Sequence, residues 1–339
     1  MMWKHYAAPT TVVILMILHN ATGQAADHPA CATIKDNNQR LECYDRQAGT
    51  TAPPSGGEDN GVDTGANTGE QSGEESIVEK RLEQESRTAM SEFAITPHKP
   101  NYFLPFTYND NPNSDSYDTN AEGGENLQRV EVKFQLSFKV PLVKRFLVDN
   151  GQLWFAYSQL AFWQMYNRDL SSPFRETDYE PELLWSIKTD YQFAGFRSSF
   201  VTLALNHQSN GRSDPLSRSW NRIKAGFVFE KENLVLSVDP WYRFPEDKED
   251  DDNPDIDAYL GYADFGALYK YKQHLSTILF RNNLRSGDNR TTIELTYTFQ
   301  FNNRLKGIAQ YFNGYGESLI DYNHRIQRFG VGILLTDWL

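Results

Sequence analysis

Residues 130–140 alternate without a break. Val130, Val132, Phe134, Leu136, Phe138 and Val140 fall on one face of an extended chain, and Glu131, Lys133, Gln135, Ser137 and Lys139 on the other. Successive side chains of a strand point to opposite sides, so this segment predicts a strand with one apolar and one charged face. The period recurs in 293–301, where Leu295, Tyr297, Phe299 and Phe301 oppose Glu294, Thr296, Thr298 and Gln300. Such a strand fits an outside that meets lipid and an inside that lines a polar lumen. Further strands are predicted near 101–109, 152–165, 180–193, 199–209, 219–230, 233–243, 257–271, 275–284, 304–314 and 325–337. Polar turns such as Asp149-Asn150-Gly151 and Ser286-Gly287-Asp288-Asn289 separate them. The pattern predicts an all-β fold, a transmembrane antiparallel up-and-down β-barrel of about 12 strands. An even count lets the sheet close and leaves no edge.

The barrel pattern occupies residues 97–339, and what precedes it reads differently. Lys4 and His5, the apolar run Thr11 to Leu18 and the small residues around Gly23 and Ala25 read as a secretory signal peptide over 1–25. The run is too short to span a membrane as a helix. Cys31 and Cys43 lie in a small segment, 26–47. In an oxidising compartment two cysteines this close are expected to form one disulfide; two free thiols are the alternative. Residues 48–96 read as an acidic linker. Its first part, 48–75, has almost no bulky apolar residues and is expected to be disordered. Its last part, 76–94, carries the spacing of a short amphipathic helix.

Composition sharpens this picture. The net charge is -12 and mean hydropathy is -0.62, values of a soluble acidic protein, yet aromatics reach 14% with 18 Tyr and 21 Phe. Strands that are apolar on one side only produce that mixture. The acidity argues against a nucleic-acid partner, which would require clustered cations.

The chemistry concentrates in 203–223, LALNHQSNGRSDPLSRSWNRI. Leu203, Leu205, His207 and Ser209 share one strand face, and in the next strand Asn221 shares its face with Ile223, Ala225 and Phe227. The apolar phase is the lipid side, so His207, Ser209 and Asn221 are expected outside the barrel near its rim. Polar groups on that phase are costly and mark function. A Ser beside a His, with an Asn to hold the imidazole, is the arrangement of a hydrolase triad in which Asn replaces Asp. An ordinary hairpin can also carry His-x-Ser followed by Asn-Gly. A GxSxG elbow is missing, which disfavours a soluble α/β-hydrolase. Gln159 is a lone amide on the lipid phase of 152–165, which read by itself is a rim residue reaching polar headgroups.

The segment NHQSNGRSDPLSRSWNR resembles the active-site signature of the outer membrane phospholipase A family, the bacterial twelve-stranded barrel lipases. SSPFRETDYEPEL at 171–183, DDNPDIDAYLGY at 251–262 and YGESLIDYNHRIQRFGVG at 315–332 resemble the same family. The resemblance implies an outer-membrane enzyme that hydrolyses acyl esters of phospholipids and lysophospholipids at either position, active as a calcium-bound homodimer. It implies Ser209 as nucleophile, His207 as general base, Asn221 as its orienting partner and the Gly211 amide as oxyanion donor. It also implies calcium ligands at the Arg212 carbonyl, the Ser217 hydroxyl and Ser171 of a second copy, a weaker calcium position at Asp214 and Asp252, and Gln159 bonding across the dimer. A passive barrel, a porin or structural protein, is the competing reading.

Overall fold

In the computed structural model, the described residues are 76–89, 95–114, 127–247, 249–302 and 305–337, with isolated positions between 31 and 43. The expected signal peptide and the 48–75 segment lie outside them. The chain divides into two compact units, Met1–Glu70 and Gln71–Leu339. In the first, Cys31 and Cys43 are joined by a disulfide with their Cα atoms 5.6 Å apart.

The second unit is a closed antiparallel barrel. Its elements are helix α1 (Ile77–Ala89) and strands β1 (Thr96–Pro97), β2 (Asn101–Asn109), β3 (Val130–Lys144), β4 (Gly151–Trp163), β5 (Phe174–Phe193), β6 (Phe196–Ser209), β7 (Ser219–Lys231) and β8 (Leu234–Arg243). Helix α2 (Ile256–Leu260) follows, then β9 (Ala263–Tyr271), β10 (His274–Asn282), β11 (Thr291–Gln300), β12 (Lys306–Gly314) and β13 (Ile326–Thr336). Each strand from β2 to β13 pairs with its sequence neighbours, and β13 closes on β2 from Arg328↔Asn109 to Thr336↔Asn101. The two-residue β1 extends the edge of β2 along β3 at Thr96↔Lys139. Tight turns at 194–195, 232–233 and 272–273 occupy one end, and longer loops at 164–173, 210–218, 244–262 and 315–325 the other. In outer-membrane barrels the short turns face the periplasm.

The alternation expected from the sequence is realised in the burial. Leu136, Leu203, Leu205, Leu295 and Tyr297 are exposed on the outer face, while Glu131, Lys133 and Lys139 are buried in the lumen. Lumen charges are affordable only when cross-linked, because a lone ion in a low-dielectric interior is heavily penalised. Arg175 reaches Glu131 at 2.9 Å and Asp321 at 2.8 Å; Arg328 reaches Glu131 and Glu317, each at 2.8 Å; Lys133 reaches Glu317 at 3.0 Å. The Phe162 ring lies amid the three cations, 4.8 Å from the Arg175 guanidinium and 5.0 Å from that of Arg328.

Helix α1 sits in the short-turn end of the lumen. Ser76 caps it, its hydroxyl accepting the Glu79 amide at 2.9 Å. Val78, Arg81, Glu85 and Ala89 form its buried stripe. That stripe is mixed because the wall it meets is mixed. Val78 packs with Val228, Val235, Leu268 and Leu275, and Glu85 accepts from Lys139 at 2.8 Å and Arg81 at 2.8 Å.

Two strand predictions needed correction. The strand expected at 257–271 begins only at Ala263, because Ile256 and Leu260 turn inward on α2 and pack with Trp220, Trp241, Leu319 and Tyr322. Strand β5 starts at Phe174 rather than 180, since Arg175, Glu176 and Asp178 are lumen residues whose charge hid the alternation.

Candidate active site on the outer rim

The long-loop ends of β6 and β7 build the site. Their register sets His207 opposite Asn221 and Ser209 opposite Ser219. His207 is exposed on the outer face, while Ser209 and Asn221 are half-buried. The imidazole Nδ1 lies 2.8 Å from Asn221 Oδ1. The other side of that amide is committed too, because Asn221 Nδ2 donates to Glu246 Oε1 at 3.0 Å. A carboxylate only accepts, so the amide oxygen faces the ring and Nδ1 donates to it, which in the neutral imidazole leaves Nε2 as the acceptor.

The Ser209 hydroxyl accepts the Gly211 amide at 3.0 Å. Gly211 has φ 66°, and a Cβ there would come within 3.1 Å of the Tyr179 ring. Both its left-handed backbone and the tyrosine beside it favour glycine. Among the described residues Ser209 Oγ makes no hydrogen bond to His207. Such contacts are commonly loose before substrate arrives.

The lumen face of the same strands holds the site still. Asn206 accepts from Arg222 at 2.9 Å, Gln208 accepts from Trp220 at 2.9 Å and from Arg222 at 3.1 Å, and the Arg222 guanidinium stacks 3.8 Å over Trp220. Asn210 then shapes the 210–218 loop: its Oδ1 accepts the Arg212 and Arg218 amides and its Nδ2 donates to the Leu216 carbonyl at 2.9 Å.

The expected calcium ligands fall on three long loops, Ser171 in 164–173, Arg212, Asp214 and Ser217 in 210–218, and Asp252 in 244–262. Ser217 Oγ donates to Asp252 Oδ2 at 2.6 Å, and Ser219 Oγ lies 3.4 Å from the same oxygen. The Arg212 guanidinium is anchored by Glu176 at 3.0 Å and by the Arg175 carbonyl. Asp214 is exposed. Ser171 is exposed in the 164–173 loop with φ 58°. Among the described residues no group of three or more His, Cys, Asp or Glu side chains could hold a metal. Gln159 lies on the outer face of β4 opposite Leu136 and Tyr179, and its Oε1 accepts from Tyr157 at 3.3 Å.

Sequence reading missed Glu246, Asn210 and Tyr179. Glu246 sits in the run PEDKEDDD, which reads as solvated loop charge. The signal for Asn210 was the Asn-Gly pair after the strand.

The family model described as Phospholipase A1 matches residues 78–335. Phospholipase A1 of Klebsiella pneumoniae is 40% identical over 245 residues, covering 72% of this chain and 83% of its own length. Outer membrane phospholipase A from Escherichia coli superposes with a TM-score of 0.69 at 37% identity, over 74% of this chain and 94% of its own. The Salmonella typhi outer membrane phospholipase dimer with bound calcium matches equally, with a TM-score of 0.69, 37% identity and coverage of 74% and 96%. This chain belongs to the phospholipase A1 family, that of the outer membrane phospholipase A barrels.

Proposed function

We propose that the protein is a calcium-dependent phospholipase that hydrolyses acyl esters of phospholipids and lysophospholipids at the lipid-facing rim, through Ser209, His207 and Asn221. The observation that carries this is the 2.8 Å bond from His207 to Asn221, on the outer rim beside a serine that meets the Gly211 amide. Ser209 Oγ attacks the ester carbonyl and His207 Nε2 takes its proton. Asn221 Oδ1 keeps the imidazolium oriented through Nδ1–H. The Gly211 N–H is placed to stabilise the carbonyl oxygen as it gains charge. His207 returns the proton to the leaving alcohol, and a water activated by the same imidazole releases the fatty acid from Ser209.

Asn is neutral and stabilises an imidazolium less than Asp would. The donors near the 210–218 loop are a carbonyl at Arg212, a hydroxyl at Ser217 and the Asp252 carboxylate beside it, a hard-oxygen set that suits calcium. Arg212 and Ser217 would hold the ion with Ser171 of a second copy, and Asp214 and Asp252 would hold a weaker one. When bound there, calcium would supply the positive charge that a neutral Asn221 does not. A site completed by a second copy makes the active species a homodimer, joined through the outer face that carries Gln159. The Salmonella typhi relative, a dimer with bound calcium, supports this reading. The passive-barrel alternative is disfavoured by a lumen packed with ion pairs and an outer rim that carries His207 and Ser209.

The test is hydrolysis of a phosphatidylcholine by purified protein in detergent micelles, with calcium and then with chelator, alongside sedimentation. Chelator should abolish activity and shift the protein toward monomer, since calcium that binds the dimer better must promote dimerisation. Full activity from a species that stays monomeric in calcium overturns the mechanism.

A further inference from the structure

The side of Asn221 that faces away from His207 meets a carboxylate built into the fold. Strand β8 ends at Arg243, but its chain continues along β7: the Phe244 amide donates to the Asn221 carbonyl at 2.8 Å. Two residues on, Glu246 lies over the Asn221 side chain and accepts from its Nδ2 at 3.0 Å. The second carboxylate oxygen is 3.9 Å from Arg243, whose guanidinium is itself fixed 2.5 Å from Asp251. The Glu246 side chain is only 19% exposed, although it sits in a run of loop charges.

We infer that Glu246 is a positioning residue for the hydrolysis: it fixes the Asn221 amide so that its oxygen faces His207, and lends that neutral amide negative character. The inference rests on the proposed triad. A free Asn amide can present either end to an imidazole, and the NH2 end would leave Nδ1 unable to donate. Glu246 selects the oxygen. Its charge also polarises the amide, since hydrogen bonds in a chain strengthen one another. The chain His207–Asn221–Glu246 thus ends on a carboxylate, one residue further out than in a triad that uses Asp.

Glu246→Ala should lower kcat roughly 10-fold or more, the scale of a hydrogen bond to a charged group, with KM unchanged because substrate is not touched. Glu246→Gln keeps an acceptor and loses the charge, so it should recover part of the loss. The decisive measurement is a double-mutant cycle on the calcium-loaded protein with phosphatidylcholine in micelles, comparing Asn221→Ala with Asn221→Ala/Glu246→Ala. If Glu246 acts through Asn221, the second substitution costs nothing further. A wild-type kcat in Glu246→Ala, a loss confined to KM, or a loss that multiplies with that of Asn221→Ala each overturns the inference. Should Glu246→Ala fail to give a heat-modifiable barrel, Glu246→Gln carries the same cycle. Ser209→Ala in the same assay separates the two levels. Its inactivity with a silent Glu246→Ala rejects the positioning role alone, and its full activity rejects the triad and the positioning role together.

Discussion

On the lumen side of β6 and β7, Asn206, Gln208, Trp220 and Arg222 are bonded to one another, and Asn206 also donates to Glu180. On the outer side, one residue away in each case, His207, Ser209 and Asn221 stand at the rim with few partners. Both sets are polar residues in a membrane strand. Asn206, Trp220 and Arg222 of the inner set are buried and Gln208 is half-buried, and their bonds stabilise the barrel by leaving no charge alone. The outer set is left accessible on a surface that should be apolar, and nothing in the packing of the barrel requires it there. Polarity inside a barrel therefore says little about function, whereas polarity on its lipid face says a great deal.

This contrast can be broken at either side. The largest effect is expected at the rim. Ser209→Ala should lower hydrolysis by at least about 1,000-fold while leaving unfolding unchanged, since removing a nucleophile costs catalysis and little packing. Activity and heat-modified gel migration of the same preparation check both halves. Arg328→Ala should do the reverse. It strips a shared cation from buried Glu131 and Glu317 and should destabilise the barrel by about 3–5 kcal/mol, read by denaturant unfolding in micelles.

The pH dependence sharpens the same point. Burial alone would raise the Glu317 carboxyl, but Arg328 and Lys133 outweigh it and hold the group below the ordinary carboxylate range. A carboxylate depressed on folding contributes stability that is present above its unfolded pKa and lost as pH falls through the folded value. Wild type should therefore hold its stability down through the ordinary carboxylate range and lose it only in stronger acid. Arg328→Ala should begin to lose it at higher pH. Unfolding midpoints measured across an acid series test this, and identical pH profiles would refute it.

Two smaller effects lie further from the contrast. Gln159→Ala should raise the calcium needed for half-maximal activity, by an interface hydrogen bond on the order of 1 kcal/mol in a membrane setting. An unchanged calcium titration would remove Gln159 from the proposed dimer interface. Deleting 48–75 should change neither assembly nor activity, because that composition can supply little buried apolar surface. Loss of membrane insertion in the deletion would give the segment a job.

Alternation alone determined much of this protein. It set the barrel, close to twelve strand positions, and the outer phase of His207, Ser209 and Asn221, because a period of two follows from strand geometry whatever the neighbours are. The motif resemblance extended that to a family. Tertiary structure decided the rest. Residues 174–179 joined β5 because their charges found lumen partners from β3 and the 315–325 loop, a pairing across more than 100 positions in sequence (Arg175 with Asp321) that no local window contains. Residues 256–260 left the strand pattern because Ile256 and Leu260 met an aromatic cluster drawn from β7, β8 and the loop after β12. Glu246 became distinct from the other acids of its run only when the extension of β8 laid it against Asn221. Sequence fixes which face a side chain takes when the element is regular. Which partner it meets depends on how the closed sheet brings distant strands and loops to one height, and that is settled only by the folded barrel.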